Sequence, residues 1–192
     1  MAAAKSKSNA GRKAKGRQEA PEPEDLLLDE LRGIYSAEKQ LTKVLPRLSK
    51  AIQNETLREA LDRRVEQGQT LTENIEEVFD EYETTAGRTK NAAAEGLITE
   101  AQETVQTYAG GPELDAMLIG AMQKTEHYCI AAWGTAKAFA KAIGEDEIVA
   151  SLERALDEGK SFDQALTRLA EDEITPAIMD QYEEVGGEEA RA

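Results

Sequence analysis

Long stretches of this sequence carry apolar residues at every third or fourth position, separated by short segments rich in Gly, Pro, Asn and Thr. This spacing predicts amphipathic helices. The longest runs from Pro112 to Ile143, and its apolar stripe consists of Leu118, Met122, Cys129, Trp133, Ala136 and Ala140. Glu126 falls inside the stripe, whereas His127 points to its flank. An acid on an apolar face is costly to bury unless a cation, a metal or a proton neutralises it.

Two further long helices precede this one. The first is predicted from Asp25, as its N-cap, to about Asn54. Its stripe is Leu27, Leu31, Ile34, Leu41, Leu45, Leu48 and Ile52, with Glu38 among them. Pro46 removes a helical hydrogen bond and predicts a kink, a break into two helices being the alternative.

The second helix is predicted from about Glu55 to Glu83. Its inner face is Leu57, Ala60, Arg64, Gln67, Leu71, Ile75, Val78 and Tyr82. Arg64 lies near the middle of that face, with Gly68 one turn on. Between two helices an arginine has little room to turn its charge towards solvent.

Two more helices complete the pattern. A short one, about Asn91 to Tyr108, ends at a Gly-Gly-Pro sequence and is predicted to cross over between the second and third long helices. The last long helix covers about Glu147 to Glu173, with Gly159 and Asp163 on its inner face, and ends at Thr175-Pro176.

Four long helices with one crossover connection predict an all-α, ferritin-like four-helix bundle. We expect a disordered segment at 1–24, the bundle at 25–175 and an acidic C-terminal tail at 176–192, helical at most over a short length. The composition, 40% apolar and 32% charged with five prolines, also favours an all-α protein.

Charge is divided unevenly along the chain. Residues 1–18 contain six Lys or Arg and no acid, so the rest carries 17 basic against 38 acidic residues, and the net charge is −15. The acidic body should repel nucleic acid and anionic membranes. The basic segment predicts weak contact with nucleic acid through residues 5–17, or a solubilising tail.

Other classes of protein are disfavoured. No apolar run approaches the roughly 20 residues that cross a bilayer, no apolar signal segment is present, and the single cysteine cannot form an internal disulfide, so we expect a cytoplasmic protein without membrane contact. The sequence has no Gly-rich phosphate loop and no zinc-binding spacing. With one histidine and no nucleophile-elbow pattern, a hydrolase triad is disfavoured.

Four segments resemble the YciE/YciF stress-protein family of ferritin-like bundles: DELRGIYSAEKQL (29–41), AEGLI (94–98), QKTEHY (123–128) and LDEGK (156–160) followed by Asp163. The resemblance runs from about Asp25 to Glu173, in order and with matching spacing. It implies a four-helix bundle with a crossover helix, a homodimer, a carboxylate/histidine metal centre, no assigned activity and a link to general stress responses.

This resemblance also implies which residues belong to the centre. Glu38, Glu126 and Asp163 match family ligands. At four other inward positions the family shows His, Glu, Glu and Glu, where this chain has Arg64, Gln67, Cys129 and Gly159.

Two interpretations of these residues follow. A two-metal carboxylate site requires about four carboxylates and two histidines, and a nearby arginine would repel the cations. We therefore predict a core ionic cluster of Glu38, Arg64, Gln67, Glu126 and Asp163, in which Arg64 pairs with Glu38, Glu126 or both. The alternative is a metal site held by Glu38, Glu126 and Asp163.

Three functions remain open at this point. The first is a non-catalytic stress or structural protein without a cofactor. The second is an iron or manganese protein, a metal-dependent oxidoreductase if it is an enzyme, that handles peroxide, oxygen or iron. The third is a nucleic-acid-associated protein tethered through its basic segment.

Overall fold

The computed structural model describes residues 21–189, with side chains to residue 183. Its elements are α1 (Pro23–Ser49), α2 (Glu55–Glu81), α3 (Ala92–Thr107), α4 (Pro112–Ile143), α5 (Asp146–Leu169), a π-helical turn (Ala170–Ile174) and α6 (Thr175–Glu189). No strand occurs in this part of the chain. The segments predicted to be disordered or to touch nucleic acid, up to residue 20, lie outside the described residues.

The four long helices α1, α2, α4 and α5 form a square bundle. Each packs against two others, because the neighbouring pairs are α1–α2, α2–α5, α5–α4 and α4–α1. The short helix α3 lies across α1 and α4 and connects α2 to α4. The predicted ferritin-like fold and its crossover helix are confirmed, and each long helix sends one inward stripe to the common core.

Polar side chains hold the connections in place. The carboxylate of Asp115, in the first turn of α4, is buried and accepts hydrogen bonds from the backbone N–H groups of Gln53 and Asn54 between α1 and α2. Asn91 caps α3 by accepting from the N–H of Ala94 and donates to the carbonyl oxygen of Gly33 on α1. The second contact fixes the crossover helix against the bundle.

The start of α1 differs from the prediction. The helix begins at Pro23, and its N-cap is Glu22 rather than Asp25. The cause is the proline, whose fixed φ suits the first helical position and whose missing N–H has no partner there in any case. Farther along, α1 continues through Pro46 as one helix, so the alternative break into two helices does not occur.

The predicted end of the last helix at Thr175-Pro176 is wrong. A π-helical turn follows α5, in which the N–H of Thr175 donates to the carbonyl of Ala170, and α6 continues to Glu189. The turn directs Ile174 into the core, where it is buried. Pro176 is tolerated because it stands in the first turn of α6, where a missing N–H costs little.

Within residues 21–189, none of the helices combines the length and apolar character that crossing a bilayer requires.

Candidate functional site

The centre of the bundle contains an arginine held between two glutamates. The Nε–H of Arg64 donates to Oε2 of Glu126 at 2.7 Å. Its Nη1 and Nη2 donate to the two carboxylate oxygens of Glu38 at 3.0 and 2.9 Å. The three side chains are 3%, 2% and 0% exposed, respectively. This is a bidentate pair plus a third charge-assisted hydrogen bond, shielded from water.

Three helices supply these residues, and the helical stripe explains why each points inward. Glu38 lies in the middle of α1, Arg64 in the middle of α2 and Glu126 in the middle of α4, each flanked by buried apolar residues one turn away. The guanidinium group cannot reach solvent because the neighbouring helices pack around it, so it binds the two acids that share its level of the bundle.

Glycine and tryptophan complete the surroundings of this ionic cluster, Glu38–Arg64–Glu126. The Cζ atom of Arg64 lies 5.4 Å from the ring centroid of Trp133, within cation–π range. On α5, a Cβ atom placed at Gly159 would lie 2.5 Å from Oε1 of Glu126 and 2.6 Å from Cζ3 of Trp133. On α2, a Cβ at Gly68 would lie 2.7 Å from Oε2 of Glu38. Both glycines are therefore required by close packing.

The charges of the cluster do not balance, because two carboxylates share one guanidinium. Burial lowers the pKa of Arg64, but the charges of Glu38 and Glu126 raise it more, so the side chain stays protonated with a pKa well above its ordinary range. Burial raises the pKa of Glu126 and outweighs the opposing effect of Arg64. Its Oε1 atom is buried without a hydrogen-bond partner. Glu126 therefore takes up a proton more readily than an ordinary glutamate does.

Cys129, one turn from Glu126, is a buried free thiol. Burial raises its pKa well above the ordinary value, and the charge of Glu38 adds to the effect. A thiol with a raised pKa carries little thiolate, which is the reactive form. Cys129 is thus a core residue rather than a nucleophile.

Two predicted members lie outside the cluster. The side chain of Asp163 lies at the flank of α4. Its Oδ1 atom accepts a hydrogen bond from Nε2 of Gln123 at 3.1 Å and lies 3.4 Å from Nε2 of His127. Gln67 is half-buried, and its side chain makes no hydrogen bond within the described residues. It lines a void of about 10 Å³ beside Arg64, because its place on α2 lies towards α5 rather than towards the acids.

The residues present do not fit the two-metal centre that the resemblance implies. A guanidinium lies where a cation would have to meet both glutamates, and it already binds three of their four oxygens. The ring of Trp133 occupies the space in front of Gly159 that a carboxylate from α5 would need. Across residues 21–183 no three His, Cys, Asp or Glu side chains are grouped so as to hold a metal ion. The histidine is on the surface, 67% exposed.

Sequence reasoning missed two buried polar contacts. Asp115 is 1% exposed, and only its position after the Gly-Gly-Pro sequence hinted at a role near a helix N-terminus. The contact of Trp133 with Arg64 was also missed, although Trp133 shares the stripe of α4 with Glu126. A stripe identifies the face of a helix but not which residues on another helix lie opposite.

We expect Glu126→Gln to change how stability depends on pH. The folded-state pKa of Glu126 lies above its ordinary 4.5, so above that pH the folded chain retains a proton that the unfolded chain has released. The favourable contribution of Glu126 to the free energy of unfolding is therefore fully present below pH 4.5. It is lost as the pH rises through the raised pKa.

Urea unfolding between about pH 5 and about pH 8 checks this expectation. The free energy of unfolding of the wild type, relative to Glu126→Gln, should fall as the pH rises. Glu66→Gln, which changes an exposed acid on α2, is the control and should show no such trend. A difference between wild type and Glu126→Gln that is constant with pH would contradict a raised pKa.

Comparison with known proteins gives a consistent family and fold. The model of the DUF892 family, described as a domain of unknown function, matches residues 22–179. Protein YciF of Escherichia coli K12 is 39% identical over 148 residues, which cover 77% of this chain and 89% of YciF. The crystal structure of this stress protein superposes with a TM-score of 0.76 at 37% identity, covering 81% of this chain and 99% of that one.

Two other solved structures are similar. YcfI of Rhodopseudomonas palustris, whose description proposes a structural role, has a TM-score of 0.72 at 37% identity and covers 78% of this chain and 96% of its own. A protein of Xanthomonas campestris pv. campestris has a TM-score of 0.66 at 16% identity and covers 83% of this chain and 98% of its own. The last similarity concerns the fold alone.

Proposed function

Since this chain belongs to the DUF892 family of YciF-like proteins, we propose that it is a non-catalytic stress-associated protein in which an arginine–carboxylate cluster replaces a metal centre. The association with stress is carried over from YciF, a stress protein. The structural, rather than catalytic, role agrees with the description of the YcfI protein.

The observation that carries the proposal is the position of the Arg64 guanidinium between Glu38 and Glu126. A guanidinium is protonated at any physiological pH. It supplies the positive charge that the two inward acids need and excludes a second cation from the same space by repulsion. With all three side chains at most 3% exposed, a substrate in solvent has no direct access to them.

Elemental analysis of the purified protein tests the proposal. We expect far less than one equivalent of iron or manganese per chain, and no consumption of peroxide that depends on Glu126. About two tightly held ions per chain, as in a carboxylate-bridged bundle site, would contradict the proposal and favour the metal-dependent alternative.

A designed variant supplies the matching positive control. Arg64→His, Gln67→Glu and Gly159→Glu restore the ligand types that the resemblance implies. Trp133→Ala is added because a side chain at position 159 would otherwise meet the ring at 2.6 Å. We expect this variant to bind more iron or manganese than the wild type. Equal metal contents would show that the substituted residues do not decide metal binding.

A further inference from the structure

A cleft with a strongly acidic rim lies at the end of the bundle where α1 begins. It has a volume of about 530 Å³, within the range of ligand-binding clefts, and lies between the C-terminal half of α2 and the first turns of α5. Its floor is apolar and is formed by Leu31, Leu71, Ile75, Val78, Ile148 and Leu152. A hydrogen bond of 3.0 Å between Asn74 and Ser151 joins the two helices at one point of the rim.

Charge on the rim is almost entirely negative. The acids are Glu77, Glu81, Glu145, Asp146 and Glu147, and the single base is Arg154, so the rim carries a net charge of −4. Within the described part of the chain, none of these acids forms a salt bridge. An apolar floor under carboxylates that have no counter-cation in the described residues suits a ligand with both positive charge and aliphatic length, which is the chemistry of lysine and arginine side chains.

Helix α1 begins near this cleft, because Leu31, eight residues or about 12 Å along the axis from Pro23, is one of the residues that line it. Tyr82, at the end of α2, donates from its hydroxyl to the carboxylate of Glu145 at 2.7 Å. Burial, the hydrogen bond to Glu145 and the charges of Glu145 and Glu24 raise the pKa of Tyr82 to about 12. This hydrogen bond holds one of the rim carboxylates against the end of α2.

The residues that precede α1 carry the opposite charge. Residues 1–18 contain Lys5, Lys7, Arg12, Lys13, Lys15 and Arg17 and no acid. From Pro23 back to Arg17 is six residues, or about 20 Å of extended chain. The rim acids on α2, Glu77 and Glu81, are one turn apart, about 6 Å along the axis. About 20 Å of extended chain exceeds the roughly 12 Å of helix between Pro23 and Leu31 in the cleft. The chain is therefore long enough to bring cations to the cleft, at the millimolar effective concentration of a tethered ligand.

We propose that the basic segment 5–17 binds in the acidic cleft between α2 and α5 of its own chain. Its lysine and arginine stems cover the apolar floor, and their charged ends pair with the rim carboxylates. A polyanion such as nucleic acid then has to displace the segment from the cleft before it can bind the segment. This interaction does not depend on the ionic cluster in the core.

Paramagnetic relaxation measured by NMR on the full chain tests the proposal. Ala14→Cys provides a site for a nitroxide label, and Cys129 stays unlabelled because it is buried. We expect strong broadening of the backbone amides of Glu77, Glu81 and Ser151, and loss of that broadening at high salt because the contact is ionic. Broadening confined to the first turn of α1, or spread evenly over the surface, would overturn the proposal.

Two charge variants make the test specific. Glu77→Gln with Glu81→Gln removes two rim charges and should abolish most of the broadening in the cleft. Asp62→Asn with Glu66→Gln removes two exposed charges from the same helix outside the cleft and should leave it unchanged. Equal losses in both variants would show a response to net charge alone and would overturn the proposal.

A mixing experiment separates contact within the chain from contact between chains. Protein that carries the nitroxide but no isotopic enrichment is mixed with isotopically enriched protein that carries no nitroxide. Only contacts between molecules can then broaden the observed signals. We expect the cleft amides to remain sharp in this mixture. Broadening there equal to that within one molecule would assign the segment to a second copy and would overturn the intramolecular contact.

Discussion

Replacement of Arg64 by methionine is expected to lower the free energy of unfolding by about 3–5 kcal/mol, the usual cost of removing one partner of a buried ion pair. The loss leaves Glu38 and Glu126 facing each other in the core without a counter-charge, with three hydrogen bonds removed. Chemical denaturation followed by circular dichroism measures the change. Methionine is chosen because it retains most of the length and packing of the side chain.

The adjacent arginine gives a matched control for this prediction. Arg63 lies 3.8 Å from Glu59 on the surface of the same helix, and its side chain is 61% exposed. Exposed ion pairs contribute little, so Arg63→Met should change stability by less than about 1 kcal/mol. If Arg64→Met costs no more than Arg63→Met, the buried cluster does not exist as described.

A triple variant separates the stranded charges from the packing. Replacing Glu38 and Glu126 by glutamine together with Arg64→Met removes the uncompensated charges while retaining the volume. We expect this variant to be more stable than Arg64→Met alone, because removing all the charged partners avoids the penalty of an unpaired one. A triple variant that is less stable would show that packing, rather than charge, causes the loss.

Substitution of Gly159 by alanine is expected to destabilise the fold by about 1–3 kcal/mol, the usual cost of overpacking a core. The added Cβ would lie 2.5 Å from Oε1 of Glu126 and 2.6 Å from the ring of Trp133. Neither can move freely, because Glu126 is bonded to Arg64 and the ring packs beside the same guanidinium. This loss exceeds the usual gain of roughly 0.5–1 kcal/mol when alanine replaces glycine within a helix.

Gly134 on α4 supplies the control, since a Cβ there would meet nothing within 4 Å. Gly134→Ala should therefore stabilise the protein by about 0.5–1 kcal/mol. If the cluster is packed as described, thermal or chemical unfolding should show a lower free energy of unfolding for Gly159→Ala and a higher one for Gly134→Ala. A stabilising effect of Gly159→Ala would show that Glu126 and Trp133 are not held against α5.

A double variant tests the contact with Trp133. Combining Gly159→Ala with Trp133→Phe should lower the free energy of unfolding by less than the sum of the two single changes, because phenylalanine lacks the ring atom that clashes.

The sequence alone was sufficient to predict the fold. The bounds of α4, Pro112 to Ile143, are those predicted, and the crossover helix α3 begins and ends within one residue of the predicted positions. These features depend on local chemistry: the 3.6-residue repeat of apolar positions, Gly-Gly-Pro before α4 and the side-chain cap of Asn91. The start of α1 and the end of α5 were less well predicted, because a proline in a first helical turn and a proline that ends a helix have similar sequence contexts. The first helix also ends at Ser49, before the predicted Asn54, which instead caps α2.

The sequence by itself also determined that Glu38, Arg64 and Glu126 face the core, since the position of a residue on a helical stripe is a local property. Only the tertiary structure decided which of them meet. Asp163 has the same inward spacing, yet it bonds to Gln123 at the flank, and the space in front of Gly159 is occupied by Trp133. The acidic cleft at the start of α1 likewise joins residues from α2 and α5 that are about 70 positions apart. The rotation and height of one helix against another depend on how all the side chains pack together, and a single helical stripe does not specify them.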